Sequence, residues 1–203
     1  MNHPTLRKLG GATPAAALDA AATALLVIDF QNEYFSGALP IPGGMDALRN
    51  ARRLVRFADD HNMPVFHIQH VAPGDSPLFA ARGQSVRIHA ELQPADAHTV
   101  LQKTTVSAFA STDLDARLKA AGIGTVLVCG LMTHACVAGA ARDAVPLGYT
   151  VIVASDASAT RDIEGIDGSE VSHESLHRAA LISIEDTFGD VMTTDRIIGL
   201  PLQ

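Results

Sequence analysis

A chain of 203 residues, 47% of them hydrophobic, can bury a full core as one domain over residues 1–203, and such a composition excludes a disordered protein. The formal charge is -7 and the 15 Lys and Arg are scattered, so no basic stripe offers itself to a phosphate backbone and nucleic acid is excluded as an expected partner. Two cysteines make no disulfide framework and no apolar run reaches the length of a bilayer span, which points to a cytoplasmic protein with no membrane partner.

Arg7 and Lys8 precede an Ala-rich run that superficially resembles a secretory signal, but Asp19 interrupts it and the apolar segment passes straight into TALLVIDF. That segment is needed as the first strand, so cleavage is not expected. Thr23 to Ile28 is a continuous apolar run that ends at Asp29, and Pro40, Pro42, Gly43 and Gly44 mark the loop beyond it. From about Asp46 to Asp60, the spacing of Leu48, Ala51, Val55 and Ala58 predicts a helix. Pro64 to Val71 reads as a second strand, on which His67 and His70 point to opposite faces and so do not readily share a metal.

The next stretch, Ala72 to Ala97, holds Pro73, Gly74, Pro77, Gly83 and Pro94. A connection this long is expected to act as a lid over a pocket. A homo-oligomer, whose second copy could add residues there, is the expected assembly. His98 to Gln102 resumes a strand that ends at Lys103. Thr112 and Asp115 suggest a capping box for a helix bearing Leu114, Leu118 and Ala121, which Gly122 stops.

Thr125 to Gly130 is a buried strand without alternation. Thr133 then reads as the N-cap of a helix with Cys136 as its third residue. Unpaired N–H groups and the helix dipole would favour a thiolate there and could hold an oxyanion. Tyr149 to Ala154 is a fifth strand, followed by a polar loop, a helix from Val171 to Ile184 and a short strand near Phe188 to Met192.

Strands that alternate with helix-length segments predict an α/β fold, a three-layer sandwich with a mostly parallel central sheet. Ligands bind such sheets beyond the carboxyl ends of the strands, where Asp29, Lys103 and Cys136 all fall. Taken singly, Asp29 reads as a turn residue, Lys103 as a solvated charge and Cys136 as a structural cysteine. Their joint placement argues for an active site, whereas Cys129 inside its apolar run reads as core. No glycine-rich turn follows the first strand and no GxxxxGK occurs, so no nucleotide cofactor is expected. HESLH at 173–177 has the spacing of a zinc helix but no credible third ligand in the short remainder. No metal is expected, and the motif reads as a solvated or interface helix.

LLVIDFQNEY, LQKTTVSAF, CGLMTHACV and VIVASDASATRD together resemble the isochorismatase-like cysteine hydrolases, a family that includes nicotinamidases, N-carbamoylsarcosine amidase and other small amidases. The resemblance covers most of the chain and implies a Rossmann-like topology with a catalytic triad of Asp29, Lys103 and Cys136. It also implies a cis peptide between Leu131 and Met132, with the N–H groups of Met132 and Cys136 as oxyanion hole. A Thr133 cap on the Cys136 N–H would occupy one of those donors. Nicotinamidases carry a metal-binding Asp two residues before a His, where this chain has Val65 ahead of His67. Isochorismatases proper can dispense with the thiol, so Cys136 favours C–N bond hydrolysis.

The expected reaction is attack of Cys136 on an amide or ureido carbonyl, with Asp29 as base, Lys103 supporting the charge, and a thioester intermediate. Vinyl ether hydrolysis by Asp29 without a covalent step, and a non-catalytic redox sensor built on Cys136, are the alternatives. Phe35, His70, Phe79 and Phe109 are candidates for the substrate pocket, and His134 either adds a polar contact or faces solvent. Phe79→Ala is expected to alter substrate affinity more than stability.

Overall fold

The computed structural model describes residues 3–203. In chain order the elements are α1 (Leu6–Leu9), β1 (Thr23–Ile28), α2 (Gly44–Asp60), β2 (Val65–His70), β3 (Thr99–Lys103), α3 (Leu114–Ala120), β4 (Thr125–Leu131), α4 (Ala138–Ala144), β5 (Thr150–Ala159), β6 (Ile163–Glu164), β7 (Glu170–Val171), α5 (His173–Thr187), β8 (Asp190–Met192) and α6 (Thr194–Ile198). Six strands form one sheet in the order β3-β2-β1-β4-β5-β8, with every pairing parallel.

TALLVI lies at the centre because it has nothing that needs solvent, and all six side chains of β1 are buried. Leu25 and Val27 pack with Leu48, Ala51 and Leu54 of α2, while Leu26 and Ile28 pack with Leu114 of α3, Ala141 of α4 and Ile184 of α5. Alternate residues of one strand thus feed two cores, as a parallel sheet covered on both faces requires. This is the three-layer α/β/α sandwich that the sequence predicts. Full burial of Leu48 and Leu54 contributes about 1.5–3 kcal/mol for each side chain.

The strand order runs outward from β1 in one direction and from β4 in the other, so the crevice that such sheets use for ligands opens between the ends of these two strands. Gly130 lets them meet there. A Cβ at this position would stand 2.5 Å from the Ile28 carbonyl oxygen, a contact that no other residue could make.

β5 runs on through Ala159, beyond the expected stop at Ala154. The register slips between Val128 and Gly130, after which Gly130 pairs with Ser158 and Leu131 with Ala159. Ser158 bridges the slip, because its hydroxyl donates to the Ala154 carbonyl at 2.9 Å and accepts the Gly130 N–H at 3.3 Å. The expected polar loop instead contains the β6–β7 hairpin. Val171 belongs to that hairpin, and α5 begins after Ser172, whose side chain caps Ser175 N–H. The predicted capping box at α3 does not close: Thr112 accepts the Leu114 N–H, but Asp115 turns to Lys119 and to the Tyr149 hydroxyl, each at 2.8 Å. Among the described residues, no helix is long and apolar enough to cross a membrane.

Candidate active site

Three strand ends converge in the crevice. Asp29 leaves β1 with φ 55°, a left-handed conformation that Asp tolerates better than most residues. Its N–H donates to the Ile68 carbonyl at 2.8 Å and its carbonyl accepts the Gln31 N–H at 2.7 Å. Lys103 ends β3, and its side chain is fully buried with Nζ 2.8 Å from Asp29 Oδ2. The same ammonium lies 3.1 Å from His70 Nδ1, 3.1 Å from the Thr105 carbonyl oxygen and 3.4 Å from Cys136 Sγ. Such a cation survives burial only because it is surrounded by acceptors.

The Asp29 contact is an ion pair by distance, yet neither carboxylate oxygen meets hydrogen-bond geometry with a donor and both are buried. Lys103 and the Cys136 thiol are the groups that face this carboxylate. Burial raises the Asp29 pKa, with Lys103 pulling the other way. Cys136 is 6% exposed. Its thiol is pushed up to about 12, first by burial and then by Asp29, against the opposing pull of Lys103. The expected thiolate is therefore not favoured at Cys136, because desolvation outweighs the nearby positive charge.

The turn that carries Cys136 differs from the predicted cap. Thr133–Val137 forms one π-helical turn, closed by Val137 N–H on the Met132 carbonyl at 3.3 Å, and no side chain caps it. The Thr133 hydroxyl pairs instead with His177 Nδ1 at 2.8 Å, so it does not occupy the Cys136 N–H. The Leu131–Met132 peptide is cis. His134, the residue after Thr133, places Nδ1 2.6 Å from the Thr160 hydroxyl.

Of the candidate pocket residues, His70 reaches Lys103 and Phe79 reaches His70. Burial and then Lys103 lower the His70 pKa. The ring is therefore neutral, and with Nδ1 facing the ammonium the proton resides on Nε2. Phe79 sets its ring edge-on to His70 at 5.0 Å and to Tyr34 at 5.3 Å. It is buried within the core, which points to a cost in stability alongside the expected change in affinity when the ring is truncated. Phe35 packs on His89 at 4.5 Å and Phe109 on Tyr149 at 5.9 Å.

The long connection 72–97 is tied down by residues overlooked in the sequence. Gln31 donates through Nε2 to the carbonyls of Val86 at 2.6 Å and His70 at 2.8 Å, and Glu33 Oε2 accepts the Phe79 N–H at 3.2 Å. Both are buried. Two polar residues directly after the strand bearing Asp29 were the available signal. Tyr34 is buried near Asp29, Cys136 and Arg161, and burial keeps it a phenol. Arg161 donates through Nη1 to the Asp162 carbonyl at 3.0 Å, while its Nε is buried with no partner.

Four further histidines have partners of their own. His67 Nε2 lies 3.2 Å from His98 Nδ1, and His98 Nε2 lies 2.8 Å from Asp59. Burial is the main cause pushing His67 down to about 4. In HESLH, His173 pairs with Asp162 at 2.8 Å and His177 with Thr133. Among the described residues, no group of three or more His, Cys, Asp or Glu is arranged to hold a metal ion. Cys129 is fully buried, with Sγ 3.6 Å from the Leu26 carbonyl oxygen.

Residues 23–196 match the isochorismatase domain family. The protein is 34% identical over 178 residues to YddQ, an uncharacterized isochorismatase family protein of Bacillus subtilis, covering 87% of this chain and 98% of that one. It is 30% identical over 186 residues to maleamate amidohydrolase of Pseudomonas putida, covering 84% and 82% of the two chains. Identity to ureidoacrylate amidohydrolase RutB of Methylobacterium radiotolerans is 28% over 223 residues, covering 91% and 83%. Among solved structures, a cysteine hydrolase from Pseudomonas syringae pv. phaseolicola superposes with a TM-score of 0.87 at 27% identity, covering 98% of this chain and 97% of that one.

Proposed function

The chain belongs to the isochorismatase family of hydrolases, and from that premise we propose that it cleaves a C–N bond of a small amide or ureido substrate through a thioester on Cys136. The observation that carries this reading is the Lys103 ammonium, which lies between the Asp29 carboxylate and the Cys136 thiol. Asp29 takes the thiol proton as Sγ attacks the carbonyl carbon. Lys103 stabilises the charge on sulfur, and the N–H groups of Met132 and Cys136 receive the oxyanion. When the tetrahedral adduct collapses, Asp29 returns the proton to the leaving nitrogen and ammonia or an amine departs. Water then attacks the thioester with Asp29 again as base, which restores the thiol. These steps need no cofactor and no metal. A nucleophilic thiol works only while reduced, which suits the cytoplasm.

The buried, partnerless Nε of Arg161, close to the Tyr34 and His134 side chains, suits a substrate that carries a carboxylate. Ureidoacrylate and maleamate, the compounds in the names of two relatives, are both acids. Turnover of small amides, ureides and isochorismate, followed by acid quench and intact mass, tests the reading. Ammonia or amine release with an acyl adduct on Cys136 is expected. Isochorismate cleavage without an adduct would favour vinyl ether hydrolysis, and reversible Cys136 oxidation with no turnover would favour the redox sensor.

A further inference from the structure

Thr133 is fully buried three residues before the nucleophile, and a buried hydroxyl needs a partner. That partner is His177, the last residue of HESLH, held at 2.8 Å by a helix distant in sequence. His134 is bound in turn to Thr160. Two consecutive residues of the π-helical turn are thus fixed from two directions, one by α5 and one by the segment after β5. Burial is the main cause lowering the His177 pKa, and the ring shares a single hydrogen bond with the hydroxyl through Nδ1. On its other side lies a cavity of about 300 Å³, lined also by Asp46, Asn50, Ser158, Thr160 and Glu174. α5 also packs directly against the turn, and the hydrogen bond to Thr133 adds a directional link between the two.

We propose that His177 is a positioning residue for the nucleophile: through Thr133 it holds the turn that presents Cys136 to the carbonyl, and this is the role of HESLH in the molecule. The proposal rests on Cys136 being the nucleophile. A misplacement of about 1 Å at a reacting atom can cost a hundredfold in rate, so a lost tether should act on kcat rather than on substrate affinity.

The test compares His177→Leu, Thr133→Val, their double variant, and His177→Asn, whose amide can replace Nδ1. Each is measured for kcat and KM on an amide that the wild type hydrolyses, for melting temperature, and for the rate of Cys136 alkylation by iodoacetamide. The two single variants should each lose roughly 10–100-fold in kcat with KM within about threefold. The double should be no worse than either single, and His177→Asn should recover most of the loss. Alkylation should change in the same pattern. Losses that multiply in the double variant, or a fall in melting temperature with kcat intact, would overturn the proposal. So would stoichiometric zinc on the purified protein whose addition restores activity. If the wild type hydrolyses no amide, the functional reading fails while the alkylation series still decides whether His177 positions the thiol.

Discussion

Lys103 Nζ stands 3.4 Å from Cys136 Sγ, and the thiol is nevertheless pushed up to about 12 by burial and by Asp29. At pH 8 the thiolate would be a small minority of the resting protein. Alkylation of Cys136 should therefore climb with pH from 7 to 10 without the plateau of an ordinary thiol. Lys103→Met removes the opposing charge and should slow alkylation further at every pH. Peptide mapping that separates Cys136 from Cys129 reads the result, and a plateau below pH 8 would show that the thiol is activated before substrate arrives.

The central strand, the parallel sheet and the three strand ends were legible because apolar runs without alternation, and the polar residues that terminate them, follow directly from burial on both faces. What surrounds Cys136 was not legible. Thr133 fits an N-cap by local preference, but its hydroxyl found a tertiary partner in His177, and no local pattern shows that pairing. The thiol's protonation depends on desolvation, which follows from packing and not from position in a helix. Phe79 looked like a loop residue by its neighbours Pro77 and Gly83, yet the pins from Gln31 and Glu33 draw its segment into the core.

Asp29→Asn should lose most turnover without lowering the melting temperature. Removing one member of a buried ion pair commonly costs about 3–5 kcal/mol, but Lys103 keeps His70, the Thr105 carbonyl and Cys136 as partners. The Asp29 pKa is raised on folding, chiefly by burial. Its protonated form is thus the one the fold favours, and this contribution is complete below the unfolded pKa and lost as pH rises through the folded one. Activity runs oppositely, and its acid limb should lie above the ordinary carboxyl value of 3.8. Thermal melts with a pH–rate profile check both, and an Asn variant that melts much lower would show that the Lys103 attraction dominates.

Phe79→Ala should lower stability and turnover together. Truncating a buried Phe costs about 3–5 kcal/mol, and here it also removes the ring edge against His70. Phe79→Leu, which keeps most of the apolar volume, should regain stability more fully than rate. Denaturant melts alongside kcat decide the matter, since an Ala variant as stable as wild type would place the side chain outside the core.

Exhaustive chelation should leave activity unchanged. The HESLH histidines are committed to Asp162 and Thr133, and His67 and His70 face different partners. Assay after dialysis against a strong chelator is sufficient. Activity that disappears and returns with added zinc would overturn the cysteine assignment.

Cys136→Ser and Asp29→Asn should each lose most turnover, and the double variant should be little worse than either. Serine keeps the shape of cysteine, but its hydroxyl is far harder to ionise, while asparagine keeps the size of aspartate and removes the base. In the proposed mechanism the two groups serve one proton transfer, with the carboxylate waiting on a thiol that does not ionise without it, so once either is lost the other has nothing left to contribute. Thiol and carboxylate acting on separate steps would instead give losses that multiply. Steady-state kinetics of the four proteins on one amide distinguish these outcomes, and a serine variant that turns over its amide at the wild-type rate would sink the covalent mechanism.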